Sequence, residues 1–101
     1  MDIERINRVY RWMVDISQLW FTRNGNVAAS QNDIVGVKND LFFICQDTQK
    51  TFPLISSELF RLKDTLFLAQ GRINPVIFGE VISWLRFLEN TADNNDFWNM
   101  I

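Results

Sequence analysis

The side chains whose type and spacing could do chemistry are few: one thiol, Cys45; three arginines, Arg5, Arg8 and Arg11, spaced three apart and followed by Trp12; the carboxylates Glu58, Glu80 and Glu89; and Asn74-Pro75 beside Arg72. A thiol becomes a nucleophile when a nearby cation or helix N-terminus stabilises its thiolate. Cys45 falls on an apolar helical stripe with no basic neighbour in its own turns, which reads as an inert buried thiol. The chain contains no histidine, so Ser-His-Asp and Cys-His catalysis, imidazole bases and histidine metal ligands are excluded together. A carboxylate metal site in a bundle needs several inward acids, commonly with a Glu-x-x-His partner. Glu58, Glu80 and Glu89 all fall off the apolar stripes. Gly25, Gly36, Gly71 and Gly79 stand singly, so no glycine-rich phosphate loop exists, and Asn74-Pro75 reads as a structural helix cap. The expectation is a protein without catalytic, metal-binding or cofactor-binding residues, with no small-molecule substrate.

Arg5, Arg8 and Arg11 with Trp12 form the candidate nucleic-acid contact, because basic residues can hold phosphates while an aromatic ring stacks a base. Glu4 and Asp15 interrupt them, and the net charge is -2, from 10 Lys+Arg against 12 Asp+Glu. Residues 1–23 carry +1, residues 24–72 are neutral, and residues 73–101 carry -3. A solvated, salt-bridged face accounts for the arginines better than a phosphate-binding one.

At 101 residues the chain is expected to form one domain, 1–101. Its 48% hydrophobic and 22% charged residues are a globular composition, and nine phenylalanines raise the aromatic share to 14%. A single cysteine precludes an intrachain disulfide. The opening "MDIERINRVYRW" is charged from its second residue, and no uncharged apolar run approaches the roughly 20 residues that span a bilayer. A cytoplasmic protein with no membrane partner is expected.

Four helical periods supply the architecture. Ile3, Ile6, Val9, Tyr10, Met13, Ile16 and Trp20 recur at three and four, predicting a helix over about 2–23. Asn24-Gly25 suits a helix stop, with a type I′ hairpin turn as the alternative. Ser30 or Asn32 caps a second helix, about 33–49, with the stripe Ile34, Val37, Leu41, Ile44, Cys45 and Thr48. Pro53 breaks the chain at Phe52, and a third helix is expected over about 53–70 with Ile55, Leu59, Leu62, Leu66 and Ala69 inward and Gly71 as its left-handed stop. Asn74-Pro75 opens a fourth, about 75–90, with Ile77, Val81, Trp84, Leu85 and Leu88 inward. Short connections favour antiparallel neighbours. The fold expected is all-α: a small antiparallel four-helix bundle, with a short C-terminal helical turn at 94–100 packing on it.

The helices carry more apolar side chains than those stripes use. A bundle helix needs about three apolar positions in seven. Phe60 and Phe67, seven apart, point about 140° from the stripe of a continuous third helix. Val35 and Phe42 repeat that spacing on the second, Phe43 sits among Gly36, Asp40 and Asp47, and Trp12 lies at a margin of the first. Leu19, Val76 and Phe87 add further spare apolar groups. Trp12, Val35, Phe42, Phe43, Phe60 and Phe67 are therefore the expected protein interface, since large aromatics dominate interface energetics. The end "NNDFWNMI" poses the same question at smaller scale, because Phe97, Trp98 and Ile101 must dock on this chain or on another. The functional expectation is a non-enzymatic protein-binding module, in the manner of an inhibitor, immunity protein or accessory subunit. It would occlude or scaffold a protein partner, a second copy included. The alternative is a helical accessory subunit touching nucleic acid through Arg5, Arg8 and Arg11.

Overall fold

Side-chain chemistry sets where each helix starts. The computed structural model describes residues 2–22 and 27–92 and contains α1 (Ile3–Thr22), α2 (Gln31–Thr48), α3 (Pro53–Leu62) and α4 (Pro75–Ala92). Asp2 opens α1, its carboxylate accepting the Arg5 N–H at 3.1 Å. Ser30 caps α2 by accepting the Asp33 N–H at 3.1 Å, and Asp33 sits in the first turn, where the helix dipole favours an anion. Pro53 stands at the first position of α3 and Pro75 at that of α4, where a missing N–H leaves nothing unsatisfied. The expected helical turn at 94–100 lies outside the described residues.

The four helices close a ring: α1 packs on α2, α2 on α3, α3 on α4 and α4 on α1. Side-chain pairs fix the directions. Arg8 meets Asp40 and Arg5 lies over Phe43, so α2 runs antiparallel to α1. Ser56 Oγ donates to the Cys45 carbonyl at 2.6 Å and Phe42 meets Phe60, so α3 runs antiparallel to α2. Arg86 Nε donates to the Tyr10 hydroxyl at 3.3 Å while Ile16 and Ser17 approach Phe78, so α4 runs antiparallel to α1. The fold is an all-α four-helix bundle. No helix among the described residues is long and apolar enough to cross a membrane.

The principal core joins Ile6, Val9 and Met13 of α1, Val37, Leu41, Ile44 and Cys45 of α2, Ile55, Leu59 and Leu62 of α3, and Val81, Leu85 and Leu88 of α4. Thr48, fully buried on the same stripe, satisfies its hydroxyl on the Ile44 carbonyl at 2.8 Å. Most of the expected stripe is thereby inside, while Tyr10, Trp20, Ile34, Ile77 and Trp84 are half-buried. Ile3 is the departure in α1, with more than a third of its surface exposed.

The third helix is shorter than its apolar period implies. It ends at Leu62 rather than near residue 70, because Thr65 takes the Leu62 carbonyl twice, through its N–H at 3.1 Å and its hydroxyl at 3.2 Å. That carbonyl would otherwise accept from Leu66 in a continuing helix. The chain then doubles back through a single 3₁₀ turn, Ala69–Gly71, with Asn74 N–H donating to Leu66 O and Leu68 N–H to Arg72 O. Leu66 remains fully buried, whereas Ala69, assigned to the stripe, is exposed. Gly71 does adopt the left-handed conformation, φ 75°, but in this turn and not at a helix end. Its C=O faces the segment before α2, where Ala29 N–H donates to Gly71 O at 2.8 Å. A second, smaller core of Ile16, Val27 and Ile73 lies beneath these loops.

Candidate protein-interaction surface

Six aromatic and aliphatic side chains were expected to lie outside the core, and the fold sorts them into two groups. Val35, Phe42, Phe43 and Phe60 are at the surface, with 49%, 38%, 45% and 50% of their areas exposed. Trp12 and Phe67 are half-buried, edge to face at 6.0 Å, and pack against both cores. The expectation that Phe67 shares an outward line with Phe60 is corrected. It assumed a helix continuous to residue 70, and the reversal after Leu62 turns Phe67 inward instead.

The exposed rings are contiguous. Phe42 meets Phe43 edge to face at 5.6 Å and Phe60 across the α2–α3 seam at 6.3 Å. Val35 lies two turns before Phe42, on nearly the same line of α2. A cation closes each end of the row: the Arg5 guanidinium sits 4.4 Å from the Phe43 ring centre, and Lys63 Nζ sits 4.4 Å from that of Phe60. The i,i+3 spacing of Phe60 and Lys63 already placed that cation beside its ring, whereas the Arg5 contact joins two helices and was not anticipated from the sequence. Beside the rings runs an open groove between α2 and α3, lined by Phe42, Phe60, Pro53 and the exposed Gln46, Gln49 and Ser57, with the buried Cys45 and Ser56 beneath. No charged side chain lines it. Charges begin at its margins, with Asp47, Lys50, Glu58 and Arg61. A charge-free centre of aromatic rings and uncharged polar groups with a mixed-charge rim fits the usual anatomy of a protein interface.

The three arginines of α1 are placed differently from one another. Arg8 makes a bidentate pair with Asp40, at 2.9 and 2.8 Å, which raises its guanidinium pKa further. Arg5 is shared between Asp2 at 3.3 Å and Asp40 at 3.7 Å. Arg5 also holds Asp2 below its ordinary pKa, chiefly through the backbone hydrogen bond at the helix start. Arg11 is exposed and lines a hollow on α1 with Glu4, Arg8 and Asp15, so carboxylates are interleaved with the cations there.

Cys45 is 4% exposed, and burial pushes its thiol pKa up to about 11, with Lys63 opposing. Among the described residues no group of three His, Cys, Asp or Glu side chains is arranged to hold a metal ion. No family model matches this chain, and comparisons with curated proteins and with solved structures return no match.

Proposed function

We propose that this protein is a non-enzymatic helical binding module, which occludes or scaffolds a protein partner through the aromatic face of α2 and α3. The observation that carries this reading is the contiguous row Phe43–Phe42–Phe60 beside a groove without charged residues. Single exposed apolar residues are ordinary. Here three touching rings share one face, and Arg5 and Lys63 hold the outer two by their π-faces. Rings fixed in this way lose little further freedom on binding, which favours affinity. Removing one such half-exposed ring from water is worth on the order of 1 kcal/mol.

The nucleic-acid alternative draws less support. Asp40 occupies Arg8 and shares Arg5, and Glu4 and Asp15 flank Arg11. A phosphate must compete with those carboxylates.

The test compares the native sequence with a Phe42→Lys/Phe60→Lys variant and with Val76→Lys, a control at an exposed position on α4. Chemical cross-linking and mass analysis should find protein associations, with itself or another protein, that the double variant loses and the control keeps. Far-ultraviolet circular dichroism should be the same for all three. Association that survives both lysines, or loss of helical signal in the double variant, would refute the reading.

A further inference from the structure

We infer that the occupant of the aromatic face is a second copy of this chain, paired about a two-fold axis that passes near Phe42 and Gln46. The inference rests on the binding-module reading and commits it to one partner.

The first support is charge. A two-fold interface brings each residue close to its own counterpart, so any charge near the axis meets a like charge. The groove along α2 and α3 is lined by glutamines, serines, proline, phenylalanines and the largely buried Cys45, and no Asp, Glu, Lys or Arg lines it. Both signs then appear at the rim: Asp47 and Lys50 on the α2 side, Glu58 with Arg61 at 2.7 Å and Lys63 with Asp64 at 3.0 Å on the α3 side. Such a face can approach itself without like-charge repulsion at its centre, and it offers both signs where the two rims cross. The α1 face, with Arg8 and Arg11 beside Glu4 and Asp15, places charges at its centre and lacks this property.

The second support is area. A phenylalanine presents roughly 150–250 Å² when fully accessible, so the three touching rings, between one third and one half exposed, together with Val35 two turns away leave on the order of 300–400 Å² of apolar surface on this face. A standard interface covers about 800 Å² per partner, around half of it apolar. The patch therefore matches the apolar share of one standard-sized contact, and Gln46, Gln49, Ser57 and the rim supply the rest. Gln46 follows Phe42 by one helical turn and is exposed, so it stands beside the axis in this arrangement.

The decisive experiment uses that position. Sedimentation equilibrium of the full chain, from low-micromolar to several hundred micromolar, should show a monomer–dimer equilibrium, unweakened by added salt because its centre carries no charge. Gln46→Arg and Gln46→Glu should each weaken the dimer about tenfold or more, since each sets like charges face to face. An equimolar mixture of the two should recover a dimer, now heteromeric. Both substitutions are on the exposed face and leave the core untouched. A monomer at every concentration, or single variants that dimerise as the native sequence does, would overturn the two-fold pairing. So would a mixture that fails to recover. In each case the Phe42→Lys/Phe60→Lys comparison still decides separately whether the face binds any protein.

Discussion

The Cys45 sulfhydryl is surrounded by the α2 stripe, with its backbone carbonyl taken by Ser56. Burial raises its pKa from the ordinary 9.0 to about 11. The folded protein thus keeps a proton that the unfolded chain gives up between those two values. Stability from this group is complete below about pH 9 and is lost as pH rises through 11, a difference of about 2–3 kcal/mol. Urea titrations from pH 8 to 11 should show that decline, and Cys45→Ala should flatten it even though the variant is less stable overall. An unchanged slope in the variant would mean that Cys45 is not its source. Below pH 9 the thiol should react with a disulfide reagent only as fast as the protein opens. These consequences were legible in the sequence, because a cysteine on a helical apolar stripe without nearby cations is already a buried thiol. The influence of Lys63 on Cys45, from beyond the end of α3, was not.

At the scale of elements, the starts of α2 and α4 followed from local chemistry, and the end of α3 did not. Ser30 acts through its own side-chain hydroxyl and Pro53 and Pro75 through their ring-fixed backbone, so a few residues of sequence reveal them. Leu62 to Gln70 kept an apolar period of three and four, and the reversal is marked by the two Thr65 bonds to Leu62, the Leu68–Arg72 and Asn74–Leu66 bonds and the distant contact with Ala29, none of which the period reveals. The glycines test this distinction. An added Cβ at Gly71 would lie 2.5 Å from the Ala29 carbonyl oxygen, at a φ that side chains disfavour. Gly36 and Gly79 are inside helices with open space around the equivalent position. Gly71→Ala should therefore destabilise by about 2–3 kcal/mol, whereas Gly36→Ala and Gly79→Ala should each stabilise by about 0.5–1 kcal/mol. Thermal denaturation of the three variants checks all of them, and a Gly71→Ala protein as stable as the original would mean that the loop is not held as described. The aromatic face was partly legible for a related reason. The α2–α3 connection is short, so residues equally far from it lie opposite each other, which pairs Phe42 with Phe60 once the hairpin is accepted. The mistaken pairing of Phe60 with Phe67 came from extending one helix through a turn that only tertiary contacts create.

For the molecule as a whole, the early end of α3 divides the interior into two tiers. Helices on all sides enclose the principal core, whereas Ile16, Val27 and Ile73 are covered by α1, the start of α4 and two loops. The loop tier is held by a few backbone hydrogen bonds, Ala29 to Gly71, Leu68 to Arg72 and Asn74 to Leu66, and opening it breaks few apolar contacts. Local opening free energies scale with such contacts, so the two tiers should exchange their amide hydrogens differently. The amides of Ala29, Leu68 and Asn74 should exchange through an opening smaller than global unfolding, and those of Leu41 and Leu85 only with global unfolding. Phe67 and Trp12 join the tiers, each packing against both cores. Phe67→Ala should consequently destabilise the whole protein by about 1–3 kcal/mol and accelerate exchange at Ala29 and Asn74 more than at Leu41. Phe60→Ala, at the half-exposed surface, should change stability by less than about 1 kcal/mol and leave both exchange classes in place. Equal effects of the two substitutions on stability and exchange would contradict the division of aromatic residues into those that join the cores and those that face outward, on which the binding reading depends.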